Sequence, residues 1–184
     1  MTVSKAKPLS FSTTIRNPER IPKFLRCILP FEGKILTSEI IHKVVKNVIR
    51  EKEYTPMYVS RTAELKAISK SEDDTFSDKQ LEKIIDMSPQ KHKEAGFEYG
   101  WNSRFDTWYK MIKEFGFIKY AMGKPIIITA TGHMLVDAYM EEPCNDKKIQ
   151  TVFLNALMKY QTNNPLRRNL NENVPLPLLL KVIQ

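Results

Sequence analysis

Cysteine is scarce, and the spacings that would give it a function are missing. Cys27 and Cys144 stand far apart, with no C-x-x-C and no H-E-x-x-H anywhere. Two such thiols fit a reduced, cytoplasmic protein better than a disulfide bridge. The histidines, His42, His92 and His133, are scattered, so each reads as a structural or exposed side chain and not as a metal ligand. No segment approaches the roughly 20 apolar residues that a membrane span needs. The N-terminus has no apolar run of signal-peptide length. Gly132 has no G-x-x-x-x-G-K around it, which excludes a phosphate loop there and suggests close packing instead. There are no internal repeats.

Catalytic sets are missing too. A metal-dependent DNA-cleaving site of the two-carboxylate kind needs an Asp and then Glu-x-Lys on the next strand, the acids holding Mg²⁺ and the Lys orienting a water. No Asp precedes Asp73. Glu32-Gly33-Lys34 and Glu64-Leu65-Lys66 have the second half alone, and no Glu-x-Lys follows Asp73. No Ser/His/Asp or Cys/His set is evident in the linear sequence. The chain reads as catalytically incomplete, with no catalytic and no metal-binding residues to nominate.

Positive charge is in excess. Lys and Arg outnumber Asp and Glu by 29 to 21, a formal +8 over 184 residues. A basic chain is drawn to polyanions because neutralising them releases counterions. Charge alone does not separate nucleic acid from an anionic membrane. The length suits one domain, or one domain and part of another.

The chain is organised around Tyr99 to Thr129. Phe105, Trp108, Tyr109, Ile112 and Phe115 recur at helical spacing and predict an amphipathic helix. Asn102 or Ser103 can cap it, and Gly116 stops it. GFIKY, AMGKP and IIIT then predict strand, turn and strand. Helix and hairpin in this order form the core of a winged helix, whose helix lies in the DNA major groove. The polar edge and the turn carry Asn102, Ser103, Arg104, Thr107, Lys110 and Lys124, groups able to contact phosphates and base edges. The competing reading is an ordinary helix–hairpin core with solvated charges.

Elsewhere, Arg16-Asn17-Pro18 is a turn signal. Pro22 suits the first turn of a helix with Phe24, Leu25, Ile28 and Leu29 inward, ended by Pro30 and Gly33. Arg16, Asn17, Arg20 and Lys23 cluster at its entrance. Thr37 opens a second helix with Ile40, Ile41, Val44, Val45, Val48 and Ile49 inward. MYVSRTAELKAI, from Met57, fits a short strand running into a short helix, with Arg61 between Ser60 and Thr62. Asp78 can cap a helix over Leu81, Ile84 and Ile85. Thr131 can cap another over Met134, Leu135 and Ala138. Ile149 to Tyr160 marks a further amphipathic helix. The apolar end, Leu176 to Ile183, is expected to belong to a longer protein or to dock back on the domain, and truncation is the favoured expectation.

Five segments in order carry a resemblance. They are IRNPERI, Trp101-Asn102-Ser103-Arg104, FGFI, IIITATGHML, and FLNALMKYQTNNP followed by PLLLKVI. The series resembles the N-terminal recognition region of type IIS restriction endonucleases of the AlwI and FokI kind, nicking relatives included. It is closer to the AlwI-like group, over most of Thr13 to Gln184. The resemblance implies a domain reading double-stranded DNA at a short asymmetric site. It also implies a PD-(D/E)XK nuclease domain, on the same or a partner chain, that would use Mg²⁺. The FokI-like pattern places DNA contacts on Arg16 and Asn17, on Arg61, and on Trp101, with Arg16 standing where the pattern has a Gln-like residue.

The expectation is therefore a mainly α, winged-helix-like domain with a small hairpin over residues 1–165, and the start of a following helical subdomain over 166–184. It should bind DNA as a monomer, without a cofactor of its own, through Arg16, Asn17, Arg20, Lys23, Arg61, Trp101, Asn102, Ser103, Arg104, Thr107, Lys110 and Lys124. A winged-helix transcription regulator and a protein-interaction module are the alternatives.

Overall fold

The computed structural model describes Ile15, residues 17–160 and residues 180–181. The expected domain boundary at residue 165 and most of the apolar end lie outside the described residues, as does Arg16. The described chain is mainly helical, with one two-stranded antiparallel hairpin.

Helix α1, Arg20–Ile28, buries Ile21, Pro22, Phe24, Leu25, Cys27 and Ile28. Helix α2, Ser38–Arg50, starts as expected at Thr37, whose hydroxyl accepts the Ile40 N–H at 3.2 Å. Its face of Ile41, Val44, Val45, Val48 and Ile49 is buried. β-Branched side chains are weak helix formers, so packing holds this helix more than propensity does. Burying each such side chain contributes about 1.5–3 kcal/mol.

The segment from Met57 forms two short helices, α3 (Met57–Arg61) and α4 (Ala63–Lys70), where a strand leading into a helix was expected. Among the described residues no strand pairs with it; Val59 and Leu65 are its buried anchors. Helix α5, Asp78–Asp86, is capped by Ser77 and not by Asp78. Ser77 and Gln80 form a reciprocal capping box, which satisfies two orphan N–H groups. Ion pairs Lys46–Glu82 and Arg50–Asp78 tie α5 to α2.

Helix α6, Trp101–Glu114, runs through the centre. Phe105, Trp108, Tyr109 and Ile112 are all buried, in an aromatic cluster with Phe24. The buried Tyr109 hydroxyl donates to the Phe24 carbonyl at 2.9 Å, tying α6 to α1. Neither Asn102 nor Ser103 caps this helix. The N-cap is Gly100 at φ 95°, with no side-chain cap, and a glycine takes that conformation without steric cost. Gly116, at φ 76°, ends the helix as expected.

Strands β1 (Ile118–Lys119) and β2 (Ile127–Ile128) pair with Ile118 opposite Ile128 and Lys119 opposite Ile127. A third extended segment, residues 33–36, bonds to the return arm. Gly33 N–H donates to Ile126 O at 2.8 Å, Ile126 N–H to Lys34 O at 2.9 Å, and Leu36 N–H to Lys124 O at 2.8 Å. The sheet buries Leu36, Ile118, Tyr120, Ile126 and Ile128.

Helix α7, Ala130–Met140, is capped by Thr129, which accepts the Gly132 N–H at 3.1 Å; Thr131 does not cap it. The packing inferred at Gly132 is present. A Cβ there would lie 2.2 Å from the Phe117 carbonyl oxygen. Helix α8, Asp146–Met158, packs on α7 and is capped by Asn145.

Candidate nucleic-acid interface

The polar edge of α6 exists, but it does not face solvent. No residue of α6 reaches the exposed class. The loop from Ser88 to Gly100 lies along this edge and engages most of its polar groups. Asn102 donates to Ser38 Oγ at 2.7 Å and to Glu98 Oε2 at 2.8 Å. Ser103 is fully buried; its hydroxyl donates to the Glu98 carbonyl and accepts the Glu94 N–H. Thr107 donates to the Arg104 carbonyl at 2.7 Å. Lys110 pairs with Glu94 at 2.8 Å and with Asp106 at 3.7 Å, its side chain only 16% exposed.

Arg104 lies flat in this edge. Its guanidinium carbon is 4.8 Å from the centre of the Tyr54 ring and 5.6 Å from that of Trp108. Nη1 sits 2.6 Å from His92 Nε2. A guanidinium can only donate, so His92 accepts as a neutral imidazole. Burial first, and Arg104 second, hold its pKa below the ordinary 6.5. Trp101, expected against sugar and base, is half-buried. Its indole N–H donates to the Ile85 carbonyl at 3.3 Å, and its ring packs on Tyr54 and Trp108.

The N-terminal candidates have contacts of their own. Asn17 is exposed and folds onto its own turn, accepting the Glu19 N–H at 3.0 Å. Arg20 donates to the Glu53 carbonyl and stacks over Phe24. Lys23 is half-buried and lies in the field of Glu53. Pro18 and Glu19 line an apolar groove with Met111, Phe115 and Phe153. At 1.5 Å rise per residue, Met111 is about 13 Å along α6 from Asn102. The turn that carries Asn17 thus adjoins the C-terminal half of α6, while Asn102 to Arg104 lie in the first turn of that helix. Arg61, at the end of α3, is exposed and makes no side-chain hydrogen bond or ion pair among the described residues.

The hairpin is more open. Lys124 is exposed in its turn, as expected, and Lys119 and Lys34 are exposed beside it. Residue-by-residue reading missed the latter two. A signal was available: no Asp or Glu occurs from residue 115 to residue 136, and Lys119 lies between two apolar residues, the alternation of a half-buried strand. Glu32, close by, is engaged with His133 and the Ile128 N–H.

Among the described residues no group of three or more His, Cys, Asp or Glu is placed to hold a metal, and no helix is long and apolar enough to cross a membrane. Residues 113–184 match the family model described as AlwI restriction endonuclease. The match begins in the last turn of α6 and takes in the hairpin, α7 and α8. It supports a relationship to restriction endonucleases. Comparison with curated proteins and with solved structures returns no match.

Proposed function

We propose that this chain is the DNA-recognition part of a type II restriction endonuclease of the IIS kind. It binds double-stranded DNA as a monomer, at a short asymmetric site. Cleavage belongs to a separate nuclease domain, on the same or a partner chain, which uses Mg²⁺. The observation that carries this reading is the family match over the hairpin and the helices that follow it. Restriction endonucleases act on DNA, and the chain's +8 charge suits that polyanion. The element order adds support. Helix α1, extended segment 33–36, helix α2, helix α6 and a hairpin follow one another as in a winged helix, with α3 to α5 inserted before α6.

In this reading Asn17 and Arg61 are the candidates already open to a base edge, and Arg16 adjoins the first. Asn102, Arg104, Thr107 and Lys110 reach DNA only when the 88–100 loop yields. Selection of bound duplexes from a random pool tests the proposal. One short, asymmetric consensus is expected. A palindromic consensus bound by a dimer would instead point to a transcription regulator, and no enrichment at moderate salt would end the DNA-binding reading.

A further inference from the structure

We propose that residues 89–95 are a displaceable, autoinhibitory cover over the polar edge of α6, and that duplex DNA binds by replacing His92 and Glu94 of the cover as partners of Arg104 and Lys110. The inference rests on the duplex-binding reading above and adds to it the internal competition that sets the affinity.

The cover buries no apolar side chain. Residues 89–94 have no regular secondary structure, and no residue from 89 to 95 is buried. Its two apolar residues, Pro89 and Ala95, are exposed. Side chains alternate along the stretch: His92 and Glu94 are half-buried, Lys91 and Lys93 exposed. His92 Nε2 meets Arg104 at 2.6 Å, Glu94 meets Lys110 at 2.8 Å, and the Glu94 N–H donates to Ser103 Oγ at 3.0 Å. The flanks are fixed differently. Ser88 and Gly100 are buried, and the Phe97 ring packs on those of Phe105 and Tyr120. A segment with few buried apolar contacts opens at low cost, so residues 89–95 can lift without unpacking the core.

Hydrogen bonding selects what displaces it. The cover offers Arg104 only a neutral imidazole, and it leaves Arg104 Nε and His92 Nδ1 buried without a hydrogen-bond partner among the described residues. With Nε2 accepting, Nδ1 carries the proton of that imidazole, so both orphaned atoms are donors. A buried donor without an acceptor is destabilising. Phosphate and base-edge oxygens supply acceptors to Arg104 and Lys110 alike, and His92 returns to water when the cover lifts. Arg104 needs no reordering for the exchange. Tyr54 and Trp108, which hold its guanidinium flat at 4.8 Å and 5.6 Å from their ring centres, lie outside the cover. A site that is open in only a fraction of chains binds more weakly in proportion to that fraction, so the closed cover restrains binding until a duplex with matching acceptors displaces it.

The test uses the whole 184-residue chain and the duplex recovered by selection. Amide hydrogen exchange in the wild-type chain is read with and without that duplex. On binding, the Glu94 amide and its neighbours from 89 to 95 are expected to exchange faster, while the amides of α2 keep their rates. Glu94→Gln weakens the hold on Lys110 and should tighten duplex binding by about twofold to fivefold, the span of a partly exposed ion pair. In a chain that also carries Lys110→Gln the gain should vanish. Circular dichroism confirms that the variants fold, and the exchange measurement needs no variant. Slower or unchanged exchange at Glu94, with duplex bound, overturns the inference alone. So does the absence of a gain in folded Glu94→Gln, or a gain that persists without Lys110, since that marks a general repulsion between carboxylate and phosphate. A wild-type chain that binds no duplex at moderate salt overturns both this inference and the reading beneath it.

Discussion

Gly132 marks a place where one methyl group has no room. Helix α7 begins against the carbonyl of Phe117, and an added Cβ would lie 2.2 Å from that oxygen and 2.8 Å from Ile128 Cγ2. The first obstacle is backbone, so the helix or the hairpin must shift. Gly132→Ala is expected to destabilise the protein by about 1–3 kcal/mol, despite the better helix propensity of alanine. Urea unfolding reads this directly; a neutral or stabilising change would show that α7 is not seated on β1 as described. Cys27 gives a second prediction at this scale. Burial, followed by the nearby Glu53 and Glu51, pushes its thiol up to about 12. Thiolate is the reactive form, so at about pH 8 a chromogenic disulfide should titrate the exposed Cys144 alone in native protein, and both thiols in denaturant.

At the scale of elements, the 88–100 loop and α6 hold each other. Two of their contacts carry charge: Glu94 on Lys110, and Arg104 on neutral His92. The folded pKa of His92 lies below its ordinary 6.5. Above about pH 6.5 the imidazole is neutral in both folded and unfolded chains, and its contribution is intact. As pH falls past that value the unfolded chain takes up the proton first, so stability declines until the folded His92 is protonated too. Changing His92 to Gln should therefore flatten the fall in urea midpoint between about pH 7.5 and pH 5. An equal fall in wild type and variant would assign the pH dependence to other groups. The capping box of α5 makes a simpler case. Ser77→Ala removes the acceptor for Gln80 N–H and should cost about 1 kcal/mol, detectable as a lower melting temperature.

For the molecule as a whole, the proposed function predicts stoichiometry. Type IIS recognition reads an asymmetric site, so the complex with a selected duplex should size as one chain per duplex by sedimentation. Two chains related by a dyad would favour the regulator reading. The same complex should weaken steeply with salt, because ionic contacts to phosphate release counterions. The proposed function also assigns cleavage to another domain. These 184 residues incubated with supercoiled plasmid and Mg²⁺ are expected to leave it intact, and nicking would place a catalytic site in this chain.

Local pattern was enough for α1, α2, α6, α7 and α8, for the hairpin, and for the close approach at Gly132. Each rests on periodicity, a cap or a helix stop within a few residues, and neighbours in sequence decide those. Caps were missed by a residue or two at Ser77 and Thr129, where adjacent hydroxyl and carboxylate groups compete for the same N–H and only the local backbone chooses between them. The strand expected near Met57 failed because a strand requires a partner, which no local pattern reports. The same is true of segment 33–36, whose bonds run to Lys124 and Ile126, far along the chain. The candidate site depended most on tertiary structure. Asn102, Ser103, Arg104 and Lys110 sit on one helical edge, as their spacing requires. Spacing is silent on what lies against that edge. Glu94, Glu98 and His92 lie there because the chain turns at Gly100 and doubles back, so the groups that looked most available are hydrogen-bonded inward and the hairpin lysines are left facing out.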